Sequence, residues 1–241
     1  WPPTSSTPTS MTALTAPERR RTKRRQSYEE YLALPHDGRI VEWVDGEIIS
    51  HMPATQLHQN VASLIETLLR LYVTRLRLGR VFDAPFEVRL WAGGPSREPD
   101  VLFIGREQLE QLTERRFEGG PTLVVEVVSP GSVTIDRVDK FLEYERAGVG
   151  EYWIIDPRPH QQQADFYVRD DTGRFAAAPL DDEGVFASAV LPGFRLNVAW
   201  LWQEEQPDAE RITAGLLADA PGLSDELRAL YSEIARVLGD S

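Results

Sequence analysis

Leu123-Val124-Val125-Glu126-Val127-Val128 is an apolar run with one carboxylate set inside it. A valine-rich stretch of this length, closed by Ser129-Pro130-Gly131, predicts a strand over Thr122 to Val128 that is buried on both faces. A second run, Val101-Leu102-Phe103-Ile104, follows Glu98-Pro99-Asp100 and reads the same way. Two such strands commit the chain to an interior sheet. Carboxylates at their heart cost several kcal/mol unless they are paired, hydrogen-bonded or bound to a metal.

The remaining pattern supplies helices to cover that sheet. Ser27 is an N-cap for a short helix through Leu34, with Glu29 and Glu30 in its first turn. Arg39 to Glu42 and Glu47 to Ser50 flank Asp45-Gly46, which predicts a β-hairpin. From Gln56 onward Leu57, Val61, Leu64, Ile65, Leu68, Leu71 and Tyr72 recur at helical spacing, giving an amphipathic helix that ends before Gly79. Val81 to Leu90 reads as a strand or a bent pair. A second helix runs from about Asp136 to Ala147, stopped by Gly148, and Tyr152 to Ile155 is a buried strand ended by Asp156-Pro157. Phe166 to Arg169, Phe175 to Ala177 and Val185 to Val190 extend the sheet. The sum is an α/β core, a mixed sheet between helices. Residues 1–26, rich in Pro, Ser, Thr and Arg, read as a disordered basic arm; Met11 within it is a candidate start. Residues 27–202 read as the folded domain. Residues 203–241 read as an acidic linker and a last amphipathic helix through Leu227, Leu230, Ile234 and Leu238.

Charge and composition narrow the chemistry. The net charge of −12 argues against a protein that coats nucleic acid with its whole surface. The arm holds Arg19, Arg20, Arg21, Lys23, Arg24 and Arg25 against Glu18 alone, which leaves the remainder at −17. Such an arm is either a solvated tail or a nucleic-acid tether, while acidity in the body suits a divalent-metal site. The absence of cysteine excludes disulfides, thiolate zinc and a cysteine nucleophile. His36, His51, His58 and His160 are too scattered for a zinc cluster. Apolar runs fall well short of the ~18 residues of a spanning helix, and the N-terminus lacks the apolar core of a signal peptide. A cytoplasmic protein with no membrane partner is expected. No glycine-rich phosphate loop is present.

If the strands bearing Asp100 and Glu126 are neighbours, their carboxylates meet at one edge of the sheet. They could then share a magnesium ion, with the Val127 carbonyl and waters completing six oxygens. Glu126 shares a face with Val124 and Val128, while Val125 and Val127 point the other way. Asp136, Lys140 and Tyr144 are spaced by four on the following helix, so Lys140 can reach back over the ion. A lysine there orients or helps deprotonate a water and stabilises charge on a phosphate in the transition state. Two carboxylates, a metal and a cation are the minimal kit for phosphodiester hydrolysis. The competing reading is a buried salt-bridge network of Glu126 with Lys140, with Asp136 as an ordinary i, i+4 helix partner and Tyr144, Tyr152 and Trp153 as core.

The run Pro121 to Pro130, then Asp136-Arg137, Lys140, Tyr144, Ala147-Gly148-Val149 and Glu151 to Pro157, resembles the Uma2 family of restriction-endonuclease-like proteins within the PD-(D/E)XK nucleases. Asp45-Gly46-Glu47, Met52-Pro53 followed by His58, Pro99-Asp100-Val101 and Leu191-Pro192-Gly193-Phe194 fit the same pattern, over roughly Tyr28 to Trp202. Val128 stands where the usual lysine would be, and Lys140 replaces it from the helix. The resemblance implies a restriction-endonuclease-like mixed sheet flanked by helices, with an N-terminal hairpin and a C-terminal helix. It implies Asp100 and Glu126 as metal ligands and Lys140 as the catalytic cation. Glu47, His58 and Asp136 are additional candidates, Glu47 as an extra acidic group or simply an exposed residue after a turn. The expected cofactor is magnesium, with manganese as substitute; the expected partner is DNA, cut by a homodimer. The alternatives are an inactive nuclease fold that binds nucleic acid or protein, and a metal-dependent hydrolase of another substrate.

Overall fold

Alternation along a single strand divides the molecule. The computed structural model describes residues 25–35, 39–51 and 54–239, so most of the expected basic arm, His36 and Met52-Pro53 lie outside the described residues. In chain order the elements are α1 (Tyr28–Leu32), β1 (Val41–Val44), β2 (Glu47–Ser50), α2 (Gln56–Leu76), β3 (Gly79–Asp83), β4 (Glu87–Arg89), β5 (Ser96–Arg97), β6 (Val101–Gly105), β7 (Arg116–Glu118) and β8 (Leu123–Val127). There follow α3 (Phe141–Ala147), β9 (Glu151–Asp156), β10 (Gln163–Arg169), β11 (Phe175–Ala178), β12 (Val185–Ala187), β13 (Arg195–Asn197), α4 (Ala209–Ala218) and α5 (Asp225–Gly239).

A six-stranded sheet in the order β11-β10-β9-β8-β6-β3 forms the spine, parallel between β8 and β9 and antiparallel elsewhere. On one face Val125 and Val127 join Val101, Phe103, Trp153 and Ile155 against Val61, Leu64, Leu68 and Tyr72 of α2. On the other face Val124 and Val128 join Leu102, Ile104, Tyr152 and Ile154 against Tyr144 of α3. Each apolar side chain buried in these two layers contributes about 1.5–3 kcal/mol. Val88 and Phe117 reach the second layer from a smaller sheet, β2-β1-β5-β4-β7. Glu126 points into this second layer, between the two sheets.

Several expectations are refined. Val81 to Leu90 is a bent pair, with β3 on the large sheet and β4 on the small one. The strand expected over Val185 to Val190 does not extend the large sheet; β12 pairs with β13 in a two-stranded sheet of its own. Glu151 accounts for its early end, because its buried carboxylate accepts the Val190 amide at 3.1 Å and the amide of Ala189, drawing that backbone away from strand pairing. Part of the expected acidic linker is α4, capped by Asp208, whose carboxylate accepts the Glu210 and Arg211 amides, and packed through Ile212 and Leu217 into the α2 layer. Among the described residues no helix is long and apolar enough to cross a membrane.

Candidate functional site

Antiparallel pairing sets Val101 opposite Val125 and Leu102 opposite Val124. The next rung brings Asp100, just before β6, beside Glu126 in β8. Asp100 is anchored rather than free: its Oδ2 accepts the Val127 amide at 2.7 Å and lies 3.3 Å from Nε2 of His58. His58 is in the first turn of α2, where Thr55 accepts its backbone N–H at 3.2 Å. That N-cap fixes where the helix begins and therefore where the imidazole points. The ring is buried, and among the described residues its Nδ1 has no hydrogen-bond partner.

Lys140 arrives from the opposite side. The helix that becomes α3 opens with a π-helical stretch, Ile135–Lys140, a widened geometry that recurs at functional sites. It turns Asp136, Lys140 and Tyr144 toward β8. Lys140 is 3% exposed, with Nζ 2.8 Å from Glu126 Oε1, 3.4 Å from Glu42 Oε1 and 3.6 Å from Asp136 Oδ1. Tyr144, which packs as the sequence suggests, also donates its hydroxyl to Glu126 Oε1 at 2.7 Å. Tyr152 likewise donates to the Asp136 carbonyl at 2.9 Å, holding the widened turn in place.

Glu42 is the residue that sequence reasoning missed. It is wholly buried on β1, and its carboxylate meets Lys140, Arg97 Nη1 at 2.9 Å, His51 Nε2 at 3.0 Å and the Glu98 amide at 3.2 Å. Arg97 in turn forks onto Glu143 with contacts of 2.7 and 2.8 Å, tying the small sheet to α3. The signal was available: Val41-Glu42-Trp43-Val44 interrupts an apolar strand with a carboxylate, as the Glu126 run does. Glu47, by contrast, sits exposed at the turn end of β2 and does not line the cavity.

Asp100, Glu126, Val127, His58, Asp136 and Lys140 all line one cavity of about 440 Å³, walled by the hairpin and by Ser129 to Ser132. Its electrostatics are lopsided. Burial, with Asp136, Asp100 and Glu42 nearby, pushes Glu126 up to about 8 against the pull of Lys140. Burial and the charges of Glu42 and Glu87 push Glu98 up to about 7, opposed by the Val41 amide. Burial raises Asp136 as well, against Lys140 and Ser132. Burial disfavours the Lys140 ammonium, yet Glu126, Glu42 and Asp136 hold it protonated well above the lysine range. Glu42 is buried too, but Lys140, His51 and Arg97 keep its carboxyl below the usual range. His58 is lifted above the usual imidazole value because contact with Asp100 and the Val127 backbone outweighs burial.

A cage of three or more His, Asp or Glu side chains does not occur among the described residues. Magnesium does not require one, since it is usually held by one or two carboxylates together with water and substrate phosphate. The donors here fit that habit: two carboxylates beside the Val127 main chain, in a cavity whose carboxylates outnumber its cations.

Residues 28–199 match the family model Uma2, described as "Putative restriction endonuclease". The chain is also similar to the crystal structure of a putative nuclease belonging to DUF820 from Anabaena variabilis ATCC 29413. The two share 19% identity with a TM-score of 0.59, covering 72% of this chain and 96% of that one. At that identity the likeness is one of fold. No curated protein matches the chain. Because the family model spans most of its length, from α1 to the segment after β13, the chain belongs to the Uma2 family.

Proposed function

We propose that this chain is a divalent-metal-dependent endonuclease that hydrolyses DNA phosphodiester bonds, working in the cytoplasm as a homodimer with magnesium or, in its place, manganese. The observation that carries the reading is the buried Lys140 ammonium, 2.8 Å from Glu126, in the cavity that also holds Asp100. Asp100, Glu126 and the Val127 carbonyl would hold the ion, which would supply Lewis acidity toward a phosphoryl oxygen and a more acidic water. Lys140, kept as an ammonium by three carboxylates, faces the negative charge that develops on the phosphate. Glu42 and Arg97 fix its position; His58 and the Val127 amide fix Asp100. A dimer places two such cavities on opposite strands of a duplex.

The competing reading is a nuclease fold kept as a binding module without turnover. It is favoured by one observation, that Lys140 sits on the Glu126 carboxylate an ion would need. Incubation of the purified chain with supercoiled plasmid and single-stranded DNA, in magnesium, manganese or chelator, separates the two. Metal-dependent cutting lost in Glu126→Ala and Lys140→Ala supports the nuclease. DNA binding without cutting, indifferent to metal and to Glu126→Ala, refutes it in favour of the module.

A further inference from the structure

The small sheet has a second face that the cavity does not use. Trp43 pairs with Ser96 and Ser96 with Arg89, so these residues form one row. That row faces away from Glu42, Arg97 and Val88, their neighbours along the strands. α1 lies along this outer face. The Tyr28 hydroxyl donates to Glu87, and its ring lies 3.7 Å from the Arg89 guanidinium; the Trp43 ring lies 4.9 Å from the same group. Arg89 is 8% exposed, and among the described residues its Nη1 reaches no hydrogen-bond partner. A buried, unpaired donor on a cation is costly and calls for an acceptor.

Beside Arg89 opens a cleft of about 670 Å³, lined by Trp43, Trp91, Arg89, Arg116 and the glycines Gly93 and Gly119. One face of the Trp91 indole is covered by the Arg146 guanidinium at 4.3 Å, and a Cβ at Gly93 would meet nothing within 4 Å, so the cleft is open on the side of that glycine. Arg116 is already paired with Glu118 at 2.6 Å, which leaves Arg89 as the guanidinium with capacity to spare. Indole and guanidinium planes are what unpaired bases stack upon, and guanidinium donors match phosphate oxygens. The volume is in the range of small-ligand sites.

We propose that this outer cleft is a subsite for a single unpaired nucleotide, its base stacked on the indoles and its phosphate taken by Arg89. The inference rests on the reading that the partner is nucleic acid, and places a second contact on the far side of the sheet from the hydrolytic cavity. A nucleotide 5′-phosphate could come from a free mononucleotide or from an unpaired position in a strand.

The test is binding to the full chain in chelator, where no cutting occurs, by tryptophan fluorescence and anisotropy. The probes are dAMP, deoxyribose 5-phosphate, and a labelled single-stranded octamer with or without a central abasic position. Loss of one stacked base corresponds to a weakening of about 5- to 150-fold. Either dAMP or the octamer should bind, weakened by that factor in Trp91→Ala and in Arg89→Gln but not in Glu47→Gln, at an exposed residue that lines neither cavity; the probe that binds identifies the source. Removal of the base, in deoxyribose 5-phosphate or at the abasic position, should weaken binding comparably. The proposal is overturned if neither probe binds, if Trp91→Ala binds as the natural chain does, or if the base is dispensable. Nucleotide binding without magnesium-dependent cutting would sink the nuclease reading alone, and cutting without nucleotide binding would sink the subsite alone.

Discussion

At the scale of single residues, a lysine shared among carboxylates sets the terms. Removing Glu42 strips a wholly buried partner from Lys140 and Arg97, and breaking such a pair costs about 3–5 kcal/mol. Glu42→Gln should therefore lower the urea midpoint by a corresponding amount and reduce plasmid cutting at least about tenfold, while Glu47→Gln changes neither. The pH dependence has a definite sign. Glu126 and Glu98 have folded values raised to about 8 and about 7 from 4.5, so between those values the folded chain binds more protons than the unfolded one. His58, raised above 6.5, acts in the same direction. Glu42, held low when folded, has finished titrating in the unfolded chain by about pH 5.5 and adds no slope above it. Metal-free protein should then lose stability as pH rises from about 5.5 to 8, by on the order of 5 kcal/mol in urea titrations. A rise over that window would contradict the assignment. Glu126 and Lys140 were legible in the sequence because a charge inside an apolar run has few explanations. Glu42 carried the same signature in a shorter strand, and only the paired sheet shows that its face looks inward.

At the scale of elements, the site depends on how α3 is held against β8. The π-helical stretch before α3 was not legible, since the periodicity of Asp136, Lys140 and Tyr144 is the same in an α-helix read from sequence alone. Tyr152 holds that turn through its hydroxyl on the Asp136 carbonyl, and Tyr144 donates its hydroxyl to Glu126, so residues that read as core also position the site. Deleting Val138, which is largely exposed within the stretch, should restore α-helical winding and rotate Asp136 and the residues before it away from Lys140. Cutting should fall about 100-fold or more while circular dichroism keeps its helical signal; unchanged cutting would show that the widened turn is dispensable. The far end of α3 is seated on Gly120, where a Cβ would run into the Ala147 carbonyl oxygen. Gly120→Ala should destabilise the fold by about 1–3 kcal/mol in urea unfolding. The small strands β5 and β7 escaped the sequence reading because two or three residues show no alternation; their pairing partners define them.

At the scale of the whole molecule, the two-layered core was legible in outline and its division into separate sheets was not. A strand announces that it is buried, whereas its membership in one sheet or another is decided by pairing far along the chain, as the split of Val81 to Leu90 demonstrates. That split packs the small sheet against the second core layer through Val88 and Phe117, with Glu42 and Arg97 on its inner face and Arg89 and Trp43 on its outer face. The inner arrangement concentrates buried carboxylates around a single lysine, which is the physical reason to expect a cation there. The most direct measurement is manganese binding, followed by electron paramagnetic resonance at neutral pH, for the natural chain and for Asp100→Asn/Glu126→Gln. One ion per chain is expected in the natural protein, with at least about tenfold weaker binding in the variant. No ion bound, or equal binding by both proteins, would contradict it.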